Sequence, residues 1–188
     1  SDNLIKGKSK KEILIYSYLC HPQMANDSIS GVMIATFLAR NISSIKNRKF
    51  TYRFVFVPET IGSITYLSKK YKYLKKNVIA GFNVVCVGDN RCYSYLPSRN
   101  GNTLSDKVAE HVLKLNKKKY VTYGWINRGS DERQYCSPGI DLPIATIMRS
   151  KYGTYSEYHT SLDDFNLVTE KGLEGGMNDF NPSDIFSS

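Results

Sequence analysis

Short apolar runs alternate with helical patterns along this chain of 188 residues, and that alternation most constrains its fold. Glu12–Leu19 (EILIYSYL), Phe50–Val57 and Pro143–Met148 have the length and the β-branched and aromatic content of strands. They are apolar along nearly their whole length, which is typical of strands covered on both faces. Gly31–Asn41 and Leu104–Leu115 carry apolar residues at helical spacing. Strands that alternate with helices predict βαβ units and a mostly parallel sheet.

The sequence therefore predicts an α/β fold, a three-layer α/β/α sandwich around a mostly parallel central sheet. Three further strands are predicted at Val78–Val87 (with Val84–Val87 as its strand), Tyr93–Tyr95 and Val121–Ile126. Two further helices are predicted at Ile64–Lys76 and Leu167–Glu174. Residues 1–174 are expected to form one domain, a length that can bury a substantial core. Residues 175–188 are poor in periodic apolar residues and are predicted to be a flexible or truncated tail.

Cysteine usage and hydropathy indicate the compartment. No apolar run approaches the length of a membrane span, so no membrane partner is expected. The four cysteines form no CxxC pair, which argues against a zinc finger and favours a reduced, cytoplasmic protein. Cys20 and Cys86 lie at the ends of apolar runs, where a cysteine is expected to behave as a small hydrophobic residue.

The formal net charge of +9 raises the alternative of a nucleic-acid-binding module. The lysines, however, form short clusters at element ends and in loops, without a regular stripe or a nucleic-acid motif. Only Lys69–Lys76, where lysines and tyrosines alternate, supports that alternative, and this segment also fits an amphipathic helix. The sequence thus favours a solvated basic surface over a nucleic-acid partner. The oligomeric state stays open, with a homo-oligomer as one option.

Ligand-type side chains gather in the turns next to the predicted strands. They are His21, Asp27, Glu59, Asp89, Asp131, Glu132 and His159. Open parallel sheets bind ligands beyond the carboxyl ends of their strands, and zinc accepts imidazole nitrogen and carboxylate oxygen. Each residue alone has a plain structural explanation, such as a turn or a helix cap. Their shared placement predicts one zinc-binding crevice.

Four ordered segments resemble motifs of the co-catalytic zinc aminopeptidases, the family that includes the glutaminyl cyclases. His21–Gly31 (HPQMANDSISG) resembles the family's His…Asp-Asn-x-Ser-Gly segment, and Pro58–Ser63 (PETIGS) resembles its Glu-Glu-x-Gly…Gly-Ser loop. Gly129–Asp131 (GSD) is similar to Gly-Ser-Asp-His, and Tyr158–Asp163 (YHTSLD) to the His-Thr…Asp close. The likeness is closer still to a bacterial aminopeptidase-like branch and runs from about Ile13 to Gly172.

The resemblance implies a zinc-dependent hydrolase that cleaves an N-terminal peptide or amide bond of a small peptide or amide substrate. His21, Asp27 and His159 match the family's zinc ligands, and Asp27 takes the position that bridges two ions. Glu59 matches the general base, which takes a proton from the attacking water and passes it to the leaving amine.

Two departures from the family pattern leave one or two zinc ions open. Thr60 stands where the wider family has a metal-binding glutamate, and Val85 and its neighbours offer no carboxylate where the family has an aspartate. Asp89, Asp131 or Glu132 could replace the missing ligands, or the site could hold a single ion.

The substrate contacts and the activity are also open in the sequence. Arg133, Arg149 and Tyr158 are candidates for binding the oxyanion or the substrate carboxylate, and the sequence does not choose among them. The alternative function is that of a degenerate or single-metal relative, which binds an amino or acyl compound without peptidase activity.

Overall fold

The computed structural model describes residues 1–115 and 119–180, which build one seven-stranded sheet with helices on both faces. The strands are β1 (Asp2–Ile5), β2 (Glu12–Leu19), β3 (Thr51–Pro58), β4 (Val78–Asn83), β5 (Ser94–Leu96), β6 (Val121–Thr122) and β7 (Ile144–Met148). The helices are α1 (Gly31–Ser44), α2 (Ile61–Asn77), α3 (Leu104–Leu115), α4 (Glu132–Tyr135) and α5 (Glu170–Asn178). Two short helical turns cover Ala25–Ser30 and Trp125–Asn127.

The strand order across the sheet is β1-β3-β2-β4-β7-β5-β6. The four central strands, β3, β2, β4 and β7, are mutually parallel. At the two sides, β1 pairs antiparallel with β3 and β5 pairs antiparallel with β7, while β6 runs parallel to β5. The predicted α/β fold with a mostly parallel sheet is confirmed.

The two faces of the sheet are covered by different helices. Ile13 and Ile15 of β2 belong to the apolar cluster under α1, α3 and α5. Leu14 and Tyr16, which point to the opposite face, pack with residues of α2 and α4. Both faces of β2 are therefore buried, which explains its near-continuous apolar sequence and gives the predicted three layers.

The order of the central strands creates a topological switch point in the sheet. The crossover from β2 through α1 leads to β3, whereas the crossover from β3 through α2 leads to β4 on the other side of β2. The direction of winding thus changes between β2 and β4, and such switch points are where open α/β sheets bind ligands. The turns Cys20–Ser30 and Val84–Asp89 both leave the sheet at this point.

The prediction of a strand at Val84–Val87 is wrong, because β4 ends at Asn83. The backbone N–H of Val84 still donates to the carbonyl of Tyr16, and the chain then leaves the sheet. Residues 84–87 remain fully buried beneath other elements. An apolar run indicates burial, and here the burial comes from packing outside the sheet.

The predicted tail is wrong for residues 175–180, because α5 crosses the boundary at residue 174. Gly176 lets the helix approach the sheet closely, since a Cβ atom there would lie 2.5 Å from the carbonyl oxygen of Val87. Phe180 is buried in the core, edge-on to Phe82 at 6.3 Å between ring centroids. Residues 181–188 lie outside the described residues.

The polar segments at the edges of the sheet are not predicted correctly from the sequence. β1 lies in the lysine-rich segment before β2 and pairs with β3 from Asp2 opposite Val55 to Ile5 opposite Tyr52. Its side chains are mostly exposed, so it carries no apolar run. The predicted strand Val121–Ile126 is likewise shortened to two residues, and α4 forms where no helix is predicted from the sequence. Backbone ladder hydrogen bonds hold such segments without an apolar pattern.

No helix within the described ranges is both long enough and apolar enough to span a lipid bilayer.

A buried ion pair lies at the amino edge of the sheet, away from the switch point. Arg53 Nε donates to Glu12 Oε2 at 2.7 Å, and both side chains are at most 4% exposed. The same guanidinium binds Asp2 Oδ1 at 2.6 Å, and the Tyr73 hydroxyl donates to Glu12 Oε1 at 2.5 Å. The network joins β1, β2, β3 and α2.

Replacing Arg53 with Met is expected to lower the free energy of unfolding by about 3–5 kcal/mol, because Glu12 would keep a buried charge without its partner. Urea denaturation followed by circular dichroism measures the change. Arg99→Met is the matched control, since Arg99 pairs with Asp141 at the surface and its loss is expected to cost at most about 1 kcal/mol. Equal losses in the two variants would contradict the role given to the buried pair.

Candidate functional site

The turn after β2 gathers three ligand-type side chains. The donor atoms of Cys20, His21 and Asp27 all lie within 4.8 Å of one another. Within residues 1–115 and 119–180, no other three His, Cys, Asp or Glu side chains come this close together. Cys20 Sγ lies 2.8 Å from His21 Nδ1, and Asp27 is 1% exposed.

His159 reaches the same place from the loop after β7. Its Nε2 atom lies 3.2 Å from Asp27 Oδ2, and its ring centroid lies 4.4 Å from that of His21. Two nitrogen or oxygen ligands of one tetrahedral zinc ion lie roughly 3.3 Å apart, given bonds of about 2.0–2.1 Å. The structure thus brings the His159 imidazole against the Asp27 carboxylate and beside the His21 ring, and the Asp27–His159 distance is the one that suits two ligands of a shared ion.

The other oxygen of the Asp27 carboxylate, Oδ1, accepts a hydrogen bond. The buried hydroxyl of Tyr18, on β2, donates to Asp27 Oδ1 at 2.7 Å. The peptide bond between Asp27 and Ser28 is cis. With Oδ1 accepting from Tyr18, Oδ2 is the oxygen that faces His159.

Asp163 ties the two ligand-bearing loops together. Its Oδ1 accepts from the backbone N–H of Asn26 at 2.6 Å, and its Oδ2 accepts from that of Asp27 at 3.1 Å. Asp163 is 1% exposed, and burial raises the pKa of its carboxyl. Because Asp163 follows His159 by four residues, one carboxylate sets the loop of Asp27 against the loop of His159.

Glu59 lies at the end of β3, half-buried beside this group. Its Oε1 accepts from the Ser130 hydroxyl at 3.0 Å. Burial raises the pKa of the Glu59 carboxyl above its ordinary value, and the negative charge of Asp27 adds to the rise, while the hydrogen bond from Ser130 opposes it. A carboxylate with a raised pKa is better suited to exchange a proton near neutral pH.

Asp131 supports the turn that carries Glu59. Its Oδ1 accepts from the backbone N–H of Thr60 at 2.7 Å, and its Oδ2 accepts from the Ser63 hydroxyl. Burial raises the pKa of the Asp131 carboxyl to about 6. Both oxygens are occupied by the Glu59 turn, so Asp131 braces that turn and is not brought into contact with Asp27.

Asp89 and Glu132, two other predicted substitutes for the missing ligands, have partners of their own. Asp89 accepts from the backbone N–H and the hydroxyl of Ser150, each at 2.8 Å. Glu132 accepts from Asn83 Nδ2 at 3.0 Å and from the Tyr152 hydroxyl. Both carboxylates are fully buried and tie the ends of strands together, so neither joins the group around Asp27.

Of the three predicted substrate contacts, only Tyr158 lies at the site. Its ring stacks on that of His159, with 3.8 Å between centroids and 17° between planes. Arg149 is buried, lies over the Tyr93 ring at 3.7 Å, and donates to a backbone carbonyl in the loop after β4. Arg133 is exposed on α4. Burial first, and then the charge of Asp27, raise the pKa of the Tyr158 hydroxyl.

The sequence does not predict the contribution of three residues to this site. Cys20 was interpreted as a small hydrophobic residue, although its position directly before His21 is a usable signal. Tyr18 reads as a core residue of a buried strand, and nothing in the pattern points to its hydroxyl. Asp163 closes the YHTSLD motif, but its role depends on a backbone 136 residues away.

Backbone strain concentrates around the same group. Thr60, Cys86 and His159 have positive φ angles of 58°, 49° and 57°. Residues with side chains rarely adopt this conformation, and such outliers cluster at functional sites, where surrounding contacts hold them. All three lie in loops at the carboxyl edge of the central strands.

A sequence profile described as “Domain of unknown function (DUF4910)” matches residues 1–183. The chain belongs to this family of aminopeptidase-like domains. It is 44% identical over 169 residues to a Clostridium acetobutylicum protein, provisionally described as a polysaccharide biosynthesis protein with an aminopeptidase-like domain. That alignment covers 90% of this chain and 38% of the relative. The chain therefore spans well under half the length of that relative.

Solved structures give the same fold. A peptidase, provisionally assigned, from Clostridium acetobutylicum superposes with a TM-score of 0.92 and 39% identity, over 99% of this chain and 43% of that one. A zinc aminopeptidase from Bacillus subtilis gives a TM-score of 0.78 at 16% identity, over 99% and 48% of the two chains. A Porphyromonas gingivalis glutaminyl cyclase gives 0.77 at 14%, over 97% and 76%. The resemblance to zinc aminopeptidases and glutaminyl cyclases is thus confirmed at the level of the fold.

Replacing Asp163 with Ala is expected to lower the free energy of unfolding by about 1–3 kcal/mol for each of the two backbone donors that lose their acceptor. Zinc bound by His21, Asp27 and His159 is expected to be held about 10–100-fold more weakly, as when a supporting partner of a ligand is lost. Urea denaturation and zinc titration measure the two effects. Asp164→Ala removes the same charge one residue later, at a local surface turn, and should leave both values near wild type.

Proposed function

We propose that this protein is a zinc-dependent hydrolase that cleaves an N-terminal peptide or amide bond of a small peptide or amide substrate. The meeting of His21, Asp27 and His159 beside Glu59 carries the proposal. Imidazole nitrogen and carboxylate oxygen are ordinary zinc donors, and the 3.2 Å between His159 Nε2 and Asp27 Oδ2 suits two ligands of one ion. A bound zinc ion supplies Lewis-acid character, which polarises a carbonyl group in hydrolases of this kind.

Glu59 is the proposed general base. It takes a proton from the attacking water and passes it to the nitrogen of the leaving amine. The Ser130 hydroxyl orients one oxygen of Glu59 at 3.0 Å, and burial places its pKa above the ordinary value. Asp131 supports this geometry indirectly, because it fixes the backbone N–H of Thr60 next to Glu59.

Tyr158 is the proposed substrate contact among the aromatic residues. Its ring stacks on that of His159, and its raised pKa keeps the hydroxyl protonated at neutral pH. A protonated hydroxyl can donate to an oxygen that gains negative charge during the reaction. Arg149 and Arg133 have no place in the proposal.

We propose one zinc ion rather than two. Asp27, the residue expected to bridge two ions, already accepts a hydrogen bond from Tyr18 on one oxygen. Thr60 has no carboxylate, and Asp89, Asp131 and Glu132 are committed elsewhere. These observations support a single shared ion.

The second candidate function is binding of an amino or acyl compound without hydrolysis. The loss of two family carboxylates favours it, and the Clostridium acetobutylicum relative is described in terms of polysaccharide biosynthesis. A ligand from that chemistry, carrying an amine or an acylated amine, would fit a site built from the same residues.

Glu59→Gln tests the two functions. If Glu59 is the general base, the variant should keep its zinc and lose about 10²–10⁴-fold in turnover, because the amide cannot take up the proton. Zinc content and hydrolysis of aminoacyl chromogenic substrates are measured on the same preparation. Glu174→Gln, an exposed position on α5, is the control and should match wild type.

Other outcomes lead to different conclusions. Loss of zinc from Glu59→Gln would make Glu59 a ligand rather than the base. Zinc-loaded wild type without turnover, yet with measurable affinity for an amine or acylated amine, would favour the binding function.

A further inference from the structure

The proposed function leaves one donor of the site unused. Cys20 Sγ lies 2.8 Å from His21 Nδ1, and it shares the group of donor atoms within 4.8 Å that includes Asp27. The side chain is only partly buried, so part of its surface is accessible from solution. The thiol also lies next to Glu59, whose pKa it lowers.

The spacing of these donors suits coordination of one ion. Sulfur and nitrogen ligands of a tetrahedral zinc ion lie roughly 3.6 Å apart, given bonds of about 2.3 and 2.1 Å. Cys20 Sγ and His21 Nδ1 lie 2.8 Å apart, which is shorter than that separation. Small rotations of the two side chains would reach it. A soft thiolate donor is also one that zinc favours.

We propose that Cys20 is the fourth ligand of the ion held by His21, Asp27 and His159, and that it binds as a thiolate. The inference rests on the zinc site of the proposed function. On binding, the sulfur–hydrogen bond breaks, the proton passes to solvent and the sulfur lone pair bonds to the ion.

Four protein donors change the character of the centre. Closed tetrahedral sets are typical of structural zinc sites, whereas hydrolytic sites keep one position for water. The resting centre is therefore closed by Cys20, and turnover requires the thiolate to leave its position. This makes Cys20 a regulatory ligand, which alkylation of the thiol would remove.

Cys86 is the other thiol near the site and the natural rival. It is fully buried, contacts the Tyr155 hydroxyl at 3.7 Å, and lies outside the group formed by Cys20, His21 and Asp27. Its burial in an apolar cluster fits a packing role. If Cys20 is the ligand, replacing Cys20 should remove the metal–sulfur signal; if Cys86 is the ligand, replacing Cys86 should remove it.

Cobalt substitution tests the proposal, because a thiolate ligand produces a near-ultraviolet sulfur-to-cobalt charge-transfer band. Wild-type protein loaded with Co²⁺ should show the band, and Cys20→Ser should lose it and bind the metal at least about tenfold more weakly. Cys86→Ser and Cys92→Ser should both keep the band. Circular dichroism of each variant checks that the fold is retained.

Alkylation of wild-type protein gives a second measurement that needs no variant. Bound zinc should protect Cys20 from iodoacetamide, and removal of the metal with a chelator should expose it. Cys92, which is half-buried and contacts Ser150, should react equally in both states. Peptide mass spectrometry reads each cysteine separately.

Three results would overturn the proposal. A cobalt protein without the sulfur band would leave the His21, Asp27 and His159 site intact but exclude Cys20. A band lost in Cys86→Ser and kept in Cys20→Ser would assign the ligand to Cys86. Wild type that binds neither zinc nor cobalt would end this inference together with the zinc chemistry of the proposed function.

Discussion

The structure depends on the parallel pairing of β2 with β3 on one side and β4 on the other. Parallel pairing sends the carboxyl ends of these strands to one edge, and the change of winding direction creates the switch point there. Burial of both faces of β2 fixes this strand in the middle of the sheet. The Cys20–Ser30 turn must therefore emerge beside the loops that follow β3, β4 and β7.

The buried carboxylates at the carboxyl edge of the sheet are of two kinds, which differ in their hydrogen-bond partners. Asp163 and Asp131 accept hydrogen bonds from backbone N–H groups and hold the turns that carry Asp27 and Glu59. Asp27 itself accepts one hydrogen bond from Tyr18 and presents its other oxygen to His159. Satisfied carboxylates order the loops, and the less satisfied oxygen is the one available to a cation.

The surroundings of Asp27 bear both on how many zinc ions the site would hold and on the proposed role of Cys20. A hydroxyl on one oxygen and missing carboxylates at Thr60 and Val85 favour one ion over two. One ion with three family-type donors keeps a position that either water or Cys20 can occupy. The same local geometry therefore bears on whether the domain hydrolyses a substrate, only binds it, or alternates between a closed and an open state.

The sequence by itself determined the alternation of elements, the three layers and the loops that carry reactive side chains, because apolar periodicity and motif order are local properties. It could not place β1, the end of β4 or the end of α5, since ladder pairing and packing against distant residues decide them. In the sequence, Asp89, Asp131 and Glu132 are three possible substitutes for the missing family ligands. Only the tertiary structure showed that all three have other roles, because their hydrogen-bond partners come from segments far away in the chain.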